Sequence, residues 1–398
     1  MTAPDYDVVI VGGGINGVGA AQAAAASGRS VLLIEKQGLG SGTSSKSSKL
    51  VHGGLRYLES YEFGLVRESL QERALLLKLA PDLVKLQEFC VPLYESTRRS
   101  PLLLRTGLSL YYLLSGLDRN ARFGSLSPAE WGDLDGLRTD KLKSVFVYTD
   151  ARTDDALLTA AVMRSAASLG AELACPATFV GAELHARGCE VRYRVGDQEH
   201  SVAARVLVNA AGPWVNETDK LVSPAISTVP VELVQGTHIE LPNELTGFTG
   251  KYFYYVESVR DGRAIFVMPR DGRLMVGTTE TRYRENPDHV RPLPGEELYL
   301  LGVLAHYFPA LRDLGRADLQ TSWAGLRVLP GGEGHAFHRS RETILHTDRA
   351  ERPRVLAIYG GKLTSYRATA EKVIERLEFS LPERPARAST RELPLTAE

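Results

Sequence analysis

Residues Tyr6–Glu35 read YDVVIVGGGINGVGAAQAAAASGRSVLLIE, and this stretch decides the fold. The run Tyr6–Val11 is short, apolar and β-branched, and it ends in Gly12. That pattern predicts a strand buried on both faces of a parallel sheet. An Ala-rich helix is expected from about Ile15 to Ser27, stopped by Gly28. Ser30–Ile34 is a second buried strand, ending at Glu35, and the three pieces open a βαβ unit. Gly12-x-Gly14-x-x-Gly17 falls at the strand–helix junction. Gly12 allows the tight turn, Gly14 lets the backbone approach a pyrophosphate, and Gly17 lets helix and strand pack closely. Ile15 and Asn16 lie in the first helical turn, where N–H groups and the helix dipole favour phosphate. Glu35, 23 residues beyond Gly12, is placed to accept from both ribose hydroxyls. An acid there argues against a ribose 2′-phosphate, hence against NADP.

The spacing leaves FAD and NAD open, and two features favour FAD. The βαβ start is followed by a long Gly/Ser loop, GSGTSSKSSKLVHGG (Gly40–Gly54), long enough to cover a ribityl chain and ring. A second strand–glycine–helix junction, Tyr359-Gly360-Gly361-Lys362-Leu363-Thr364, offers a helix start to the negative edge of a reduced flavin. Residues assigned to the cofactor are therefore Gly12, Gly14, Ile15, Asn16, Gly17, Glu35 and Lys36. The loop adds Thr43, Ser44, Ser45, Ser48, Lys49, Leu50 and His52, and later segments add Ala211, Gly212, Gly361, Lys362, Leu363 and Thr364.

The whole chain has 398 residues, enough for two domains. Lys+Arg is 47 and Asp+Glu is 48, a balance that excludes wholesale nucleic-acid binding. Cys90, Cys175 and Cys189 form no CxxC and no zinc pattern, which suits a reducing compartment. No basic leader precedes Tyr6, so the expected location is the cytoplasm. The stretch Leu102–Leu117, LLLRTGLSLYYLLSGL, has two readings. It is a buried or subunit-facing helix, or an interfacial membrane helix flanked by Arg98, Arg99, Arg105 and Arg119.

Helices are expected near Glu62–Leu79, Asp154–Leu169 and Lys362–Leu377, with a capping box at Ser127–Glu130. Val145–Tyr148 and Val355–Ile358 read as buried strands. From Val229 to Thr279, β-rich runs are separated by turns at Asp261-Gly262 and Asp271-Gly272, an antiparallel signature. The expected fold is α/β, a Rossmann-like FAD-binding domain with an inserted antiparallel-sheet substrate domain. The first comprises residues 1–80, 145–228 and 335–398; the second comprises 81–144 and 229–334.

The string GTSSKSSKLVHGGLRYLESYEF (Gly42–Phe63) resembles the FAD-dependent glycerol-3-phosphate dehydrogenase family. The likeness continues through YTDARTDDALL, NAAGPWVNE, GTHIELP, RAIFVMPRDGRLMVGTTETRY, WAGLRVLP and YGGKLTSYR, spanning nearly the whole sequence. The wider fold resemblance is to D-amino-acid and glycine oxidases. The resemblance implies oxidation of sn-glycerol 3-phosphate to dihydroxyacetone phosphate, with electrons passed to a quinone or to oxygen. Two departures stand out. Family members carry an additional C-terminal helical domain that this sequence does not include, and Arg270 follows Met268-Pro269 where the family tends to have Trp.

A phosphate dianion calls for cations, and the arginine fork suits it. Arg327 and Arg56 lie in Gly-flanked segments that match the family pattern; Arg270 and Arg339 are further candidates. Three groups compete for the proton: His52, His238 and Lys362, the last able to ease formation of an alkoxide. Tyr57 and Thr364 would donate or accept hydrogen bonds to substrate. His335-x-x-His338 has helical spacing for two metal ligands but no acidic or cysteine partner, so no metal is expected. Asp154-Asp155 opens a helix, and a charge role at its N-terminus suffices. Three open expectations remain: a homodimer, peripheral membrane contact, and a different substrate for the same flavin (a 2-hydroxy acid or an amine). A non-catalytic electron-relay subunit is the alternative outside enzymology.

Overall fold

The computed structural model describes residues 4–331 and 343–397. Tyr6–Val11 is the centre of a nine-stranded sheet. Its parallel neighbours are Val31–Ile34, with Val8 opposite Val31, and Gln198–Asn209, with Val8 opposite Val206. Ala171–Ala174 extends the parallel set on one side and Val355–Tyr359 on the other. Val8, Val9 and Ile10 are fully enclosed, as a strand covered on both faces requires. Thr178–His185 and Gly188–Val195 continue the sheet as an antiparallel ribbon.

The helix Ile15–Ala26 is buried on nearly every side, which its alanines and glycines permit. It lies against helices Asp155–Ser168 and Tyr366–Leu377. Gly19 is where the last of these comes closest, since a Cβ there would stand 2.8 Å from the Tyr366 ring. The smallness of this helix brings the start, middle and end of the chain together around the glycine turn.

A second, ten-stranded sheet holds Val231–Pro242, Arg273–Gly277, Ala264–Arg270, Tyr252–Glu257, Val84–Tyr94 and Leu142–Thr153 in that order. Thr321–Pro330 runs antiparallel to Val231–Pro242 along ten residue pairs. The turns at Gly262 and Gly272, each at φ +75°, lie where the Asp-Gly pairs predicted them. Successive residues alternate between two cores, as strand geometry demands. Phe89, Phe253, Tyr255 and Met268 face helices Phe63–Leu79 and Pro101–Leu114. Cys90, Tyr254, Val256 and Val267 face helix Pro294–Tyr307.

The sheet membership of one strand departs from the sequence reading. Val145–Tyr148 belongs to Leu142–Thr153 and pairs with Val84–Tyr94, Cys90 opposite Val147, so residues 145–153 extend the second sheet rather than the first. An apolar run enclosed on both faces looks the same in a parallel and an antiparallel sheet, so its pattern does not name its partner. The Ser127–Glu130 box forms, with Ser127 N–H donating to Glu130 at 2.8 Å, but it opens a short 3₁₀ turn, Pro128–Asp133.

Helix Pro101–Leu114 has one buried face and one exposed face. Leu104, Leu108 and Tyr111 are buried, whereas Leu102, Leu103 and Leu113 face outward, as does Leu117 just beyond it. Among the described residues no helix is long and apolar enough to cross a membrane.

Candidate active site

A cavity of about 540 Å³ is lined from both sheets. One end is the glycine turn. Gly12 sits at φ +106°, and a Cβ there would come within 2.5 Å of the Ala210 carbonyl. At Gly17 a Cβ would meet the Gly12 carbonyl at 1.9 Å. Gly17 thus packs helix on strand and is not among the lining residues. Helix Ile15–Ala26 starts at Gly14 with no side-chain cap and no acid in its first turn. Its open N-terminus faces the cavity through Gly14, Ile15 and Asn16. Ile15 N–H donates to Ser44 Oγ at 2.9 Å. The N–H groups of Gly14 and Asn16 at this helix start, with the room left by Gly12 and Gly14, fit a pyrophosphate.

Glu35 is buried beside the turn. Its carboxylate accepts from the N–H of Gly13 at 2.6 Å, Gln37 at 2.7 Å and Gly38 at 3.2 Å. A carboxylate has about four lone-pair sites, so acceptor capacity remains for a ribose hydroxyl. Lys36 Nζ lies 4.0 Å from the Trp214 ring centroid and 2.7 Å from Asp288, so it closes this end of the cavity. Thr43 Oγ1 donates to the Leu326 carbonyl at 2.7 Å, which ties the covering loop to the second sheet.

The second glycine junction meets the first. Asn16 Nδ2 donates to the Gly360 carbonyl at 3.0 Å, and Gly361, at φ +113°, lies against Asn16. His52 N–H donates to Thr364 Oγ1 at 3.0 Å. The covering loop, the fingerprint helix and the late junction are therefore one surface. Ala211, Gly212, Lys362 and Leu363 lie on it, as do Ser48 and Leu50.

Lys49 and Ser45 are not among the lining residues. Lys49 Nζ forms an ion pair with the fully buried Asp155, which also accepts from Ser47 Oγ at 2.7 Å. Asp155 thus anchors the loop, a role that a helix-terminal charge does not suggest. Asp154 is the N-cap, accepting from Leu157 N–H at 2.9 Å.

Arg56, Arg263, Arg327 and Lys362 also line the cavity, with the carboxylate of Glu280 3.8 Å from both Arg263 and Arg327. Lys362 Nζ stands 3.8 Å from the ring centroid of Tyr57, which lies beside Arg56 on the turn Leu55–Leu58. Arg327 Nη2 donates to Thr278 Oγ1 at 3.1 Å and to the Thr279 carbonyl at 3.2 Å, and Nη1 is 3.8 Å from Glu280. Gly236 makes this orientation feasible: a Cβ there would come 2.5 Å from both Arg327 Nη2 and Thr278 Oγ1. Arg263 and Glu280 were not singled out from the sequence, and a lone arginine after an Asp-Gly turn reads as surface. Arg263 Nη1 donates to the Glu280 carbonyl at 3.0 Å.

His238 also lines the cavity and is otherwise buried. It stacks on Trp323 with centroids 5.4 Å apart, and its Nε2 is 3.0 Å from Ser48 Oγ. Nδ1 has no hydrogen-bond partner. Burial, reinforced by the charges of Arg327 and Lys49, pushes its pKa down to about 3. Behind His52, the N–H of Gly53 donates to Tyr111 Oη at 2.8 Å. Tyr111 in turn donates to Asp150, which Arg73 also holds, at 2.8 Å. Burial and the neighbouring Asp150 hold the Tyr111 hydroxyl far above its ordinary pKa.

Arg270 stands apart from the cavity. Its Nη1 donates to the Thr153 carbonyl at 3.3 Å and its Nε approaches Asp271 at 3.2 Å. Arg270 is thus held by Thr153 and Asp271 and is not among the lining residues. His335, His338 and Arg339 lie outside the described residues. Among the described residues no cluster suited to a metal ion occurs, and the three cysteines form no disulfide.

Residues 7–373 match the model of the DAO family, described as FAD dependent oxidoreductase. D-erythritol 1-phosphate dehydrogenase of Brucella abortus is 36% identical over 96% of this chain and 76% of its own length. Glycerol-3-phosphate dehydrogenase of Pseudomonas tolaasii is 37% identical over 98% of this chain and 75% of its own. Among solved structures, glycerol-3-phosphate dehydrogenase from Bacillus halodurans complexed with FAD superposes with a TM-score of 0.76. That match is 27% identical and covers 98% of this chain and 67% of that one.

Proposed function

The chain belongs to the DAO family of FAD-dependent oxidoreductases, and we propose from that premise that it oxidises sn-glycerol 3-phosphate to dihydroxyacetone phosphate. FAD would be held by the glycine turn, Glu35 and the loop that includes Thr43, Ser44, Ser48 and Leu50, and would supply the acceptor for the hydride from C2. One observation carries the choice of substrate: the cavity lined by the glycine turn and Glu35 is also lined by Arg56, Arg263, Arg327 and Lys362. Cations recognise a phosphate dianion, and the planar arginine fork suits its oxygens. Arg327 and Arg56 hold the phosphate, while Tyr57 and Thr364 orient the glycerol hydroxyls.

His52 takes the C2 hydroxyl proton. It sits where the covering loop and the late glycine junction meet, with its backbone fixed by Thr364. His238 is the weaker base, since a group whose conjugate acid ionises near 3 has little hold on a proton at neutral pH. It serves as a neutral hydrogen-bond partner. Lys362 offsets the charge that develops on the oxygen.

The second electron acceptor is a quinone or oxygen. A quinone would be met at a membrane surface, for which the outward-facing Leu102, Leu103 and Leu113 beside Arg98 and Arg105 are suited. The enzyme would then act in the cytoplasm, on the inner face of the cytoplasmic membrane; a homodimer covering the same leucines is the competing occupant. A longer polyol phosphate, as in the name of the Brucella relative, is the second reading of the substrate.

Turnover with a dye acceptor separates these readings. The expected result is activity with sn-glycerol 3-phosphate and none with glycerol. Activity with D-erythritol 1-phosphate at a higher kcat/KM would favour the second reading. Activity with a 2-hydroxy acid or an amine, and none with either phosphate, would overturn both.

A further inference from the structure

Glu296 lies in the first turn of helix Pro294–Tyr307 and is buried. One of its oxygens accepts from Gln235 Nε2 at 2.6 Å, Thr237 Oγ1 at 2.6 Å and Leu293 N–H at 3.2 Å. The other accepts from Thr279 Oγ1 at 2.8 Å and Thr281 Oγ1 at 2.7 Å. A capping box needs only the Leu293 bond. The other four come from side chains on two different strand segments, and they fill the acceptor capacity of the carboxylate.

What those bonds hold is the crossing on which Arg327 rests. Thr279 Oγ1, which donates to Glu296, also accepts the N–H of Thr237 at 2.8 Å. Thr279 N–H returns a bond to the Thr237 carbonyl at 3.2 Å. The Thr279 carbonyl then receives Arg327 Nη2, and Gly236, next to Thr237, leaves the guanidinium its room. Glu296, Thr237 and Thr279 are not among the lining residues, but their neighbours Gly236, Thr278 and Glu280 are.

We propose that Glu296 is a positioning residue for Arg327, acting through Thr237 and Thr279 to aim the guanidinium at the substrate phosphate. The proposal rests on the reading of Arg327 as a phosphate ligand. A buried carboxylate with this many donors is rigid, because losing any one bond leaves a buried polar group unpaired. A guanidinium set on that frame meets its ligand preorganised, which lowers the cost of binding without changing the chemical step.

The experiment compares Glu296→Gln, Thr279→Val, Thr279→Ser and Arg327→Ala as FAD-loaded enzymes. KM and kcat for sn-glycerol 3-phosphate are measured together with inhibition by inorganic phosphate. Glu296→Gln and Thr279→Val are expected to raise KM and the phosphate inhibition constant in parallel, by about tenfold, with kcat within about twofold. Thr279→Ser, which keeps the hydroxyl, restores wild-type values. A merely structural role lowers the melting temperature and leaves the KM and inhibition constant in place; that result, alongside a raised KM in Arg327→Ala, overturns the proposal. If Glu296→Gln does not fold, the Val and Ser variants at Thr279 decide by the same criterion. An Arg327→Ala enzyme with unchanged KM and phosphate inhibition removes the phosphate-ligand reading and the proposal with it.

Discussion

The hydroxyl of Tyr111 accepts the backbone N–H of Gly53 at 2.8 Å, so helix Pro101–Leu114 holds the peptide that follows His52. The same hydroxyl donates to Asp150 at 2.6 Å, and Arg73 completes a buried chain from helix to strand to loop. Tyr111→Phe removes an acceptor and a donor at once. Leaving the Gly53 N–H and Asp150 underbonded should cost about 1–3 kcal/mol of stability. Denaturant unfolding would register that loss. Turnover should fall as well, because His52 loses one of its two backbone anchors. A variant as stable and as active as the parent would show that the anchor is dispensable.

At Gly236 the constraint is steric. Gly236→Ala places a methyl against the Arg327 guanidinium and Thr278, and overpacking of this kind costs about 1–3 kcal/mol. The expected kinetic signature is a raised KM for phosphorylated substrate with kcat little changed. A lowered kcat at constant KM would place Arg327 in the chemical step instead.

Glu35 gives a cofactor test. Glu35→Ala removes the acceptor for three backbone N–H groups and the ligand assigned to the ribose. The purified variant should carry little flavin, as read from its visible absorbance relative to protein. Full occupancy would refute the assignment at the adenosine end.

His238 supplies a pH dependence. Its pKa in the folded protein, about 3, lies below the ordinary value of 6.5, so the unfolded chain binds the proton more readily. The stabilising contribution is whole above about pH 6.5 and is lost as pH falls toward 3. Unfolding free energies of wild type and His238→Phe, measured across that window, should converge as acid is added. Parallel curves would mean that His238 is not held neutral by burial.

The legible parts of this protein are those where neighbours in sequence do the work. Gly12, Gly14, Gly17 and Glu35 declare a strand, a turn, a helix and an acid within one short stretch, and each lies in its expected element. Arg56 and Arg327 could be singled out only because the glycine-flanked strings around them match a family, whereas Lys362 stands at the second strand–glycine–helix junction. The supporting residues could not be read this way. Tyr111 sits in a leucine-rich helix and looks apolar; its partners Gly53 and Asp150 are 58 and 39 residues away. Glu296 and Asp155 each satisfy a local rule for helix starts, which hides their distant roles. Val145–Tyr148 shows that it is enclosed but not by which sheet, and Arg270 is placed by a strand end that local pattern does not locate. In each case the missing information is a long-range partner, fixed by packing of the two sheets.

Anaerobic mixing of the flavin-loaded protein with sn-glycerol 3-phosphate tests the central claim most directly. The visible flavin band should bleach in a single phase that saturates with substrate. A band that stays unchanged at saturating substrate, or a colourless protein that takes up no added FAD, would contradict it.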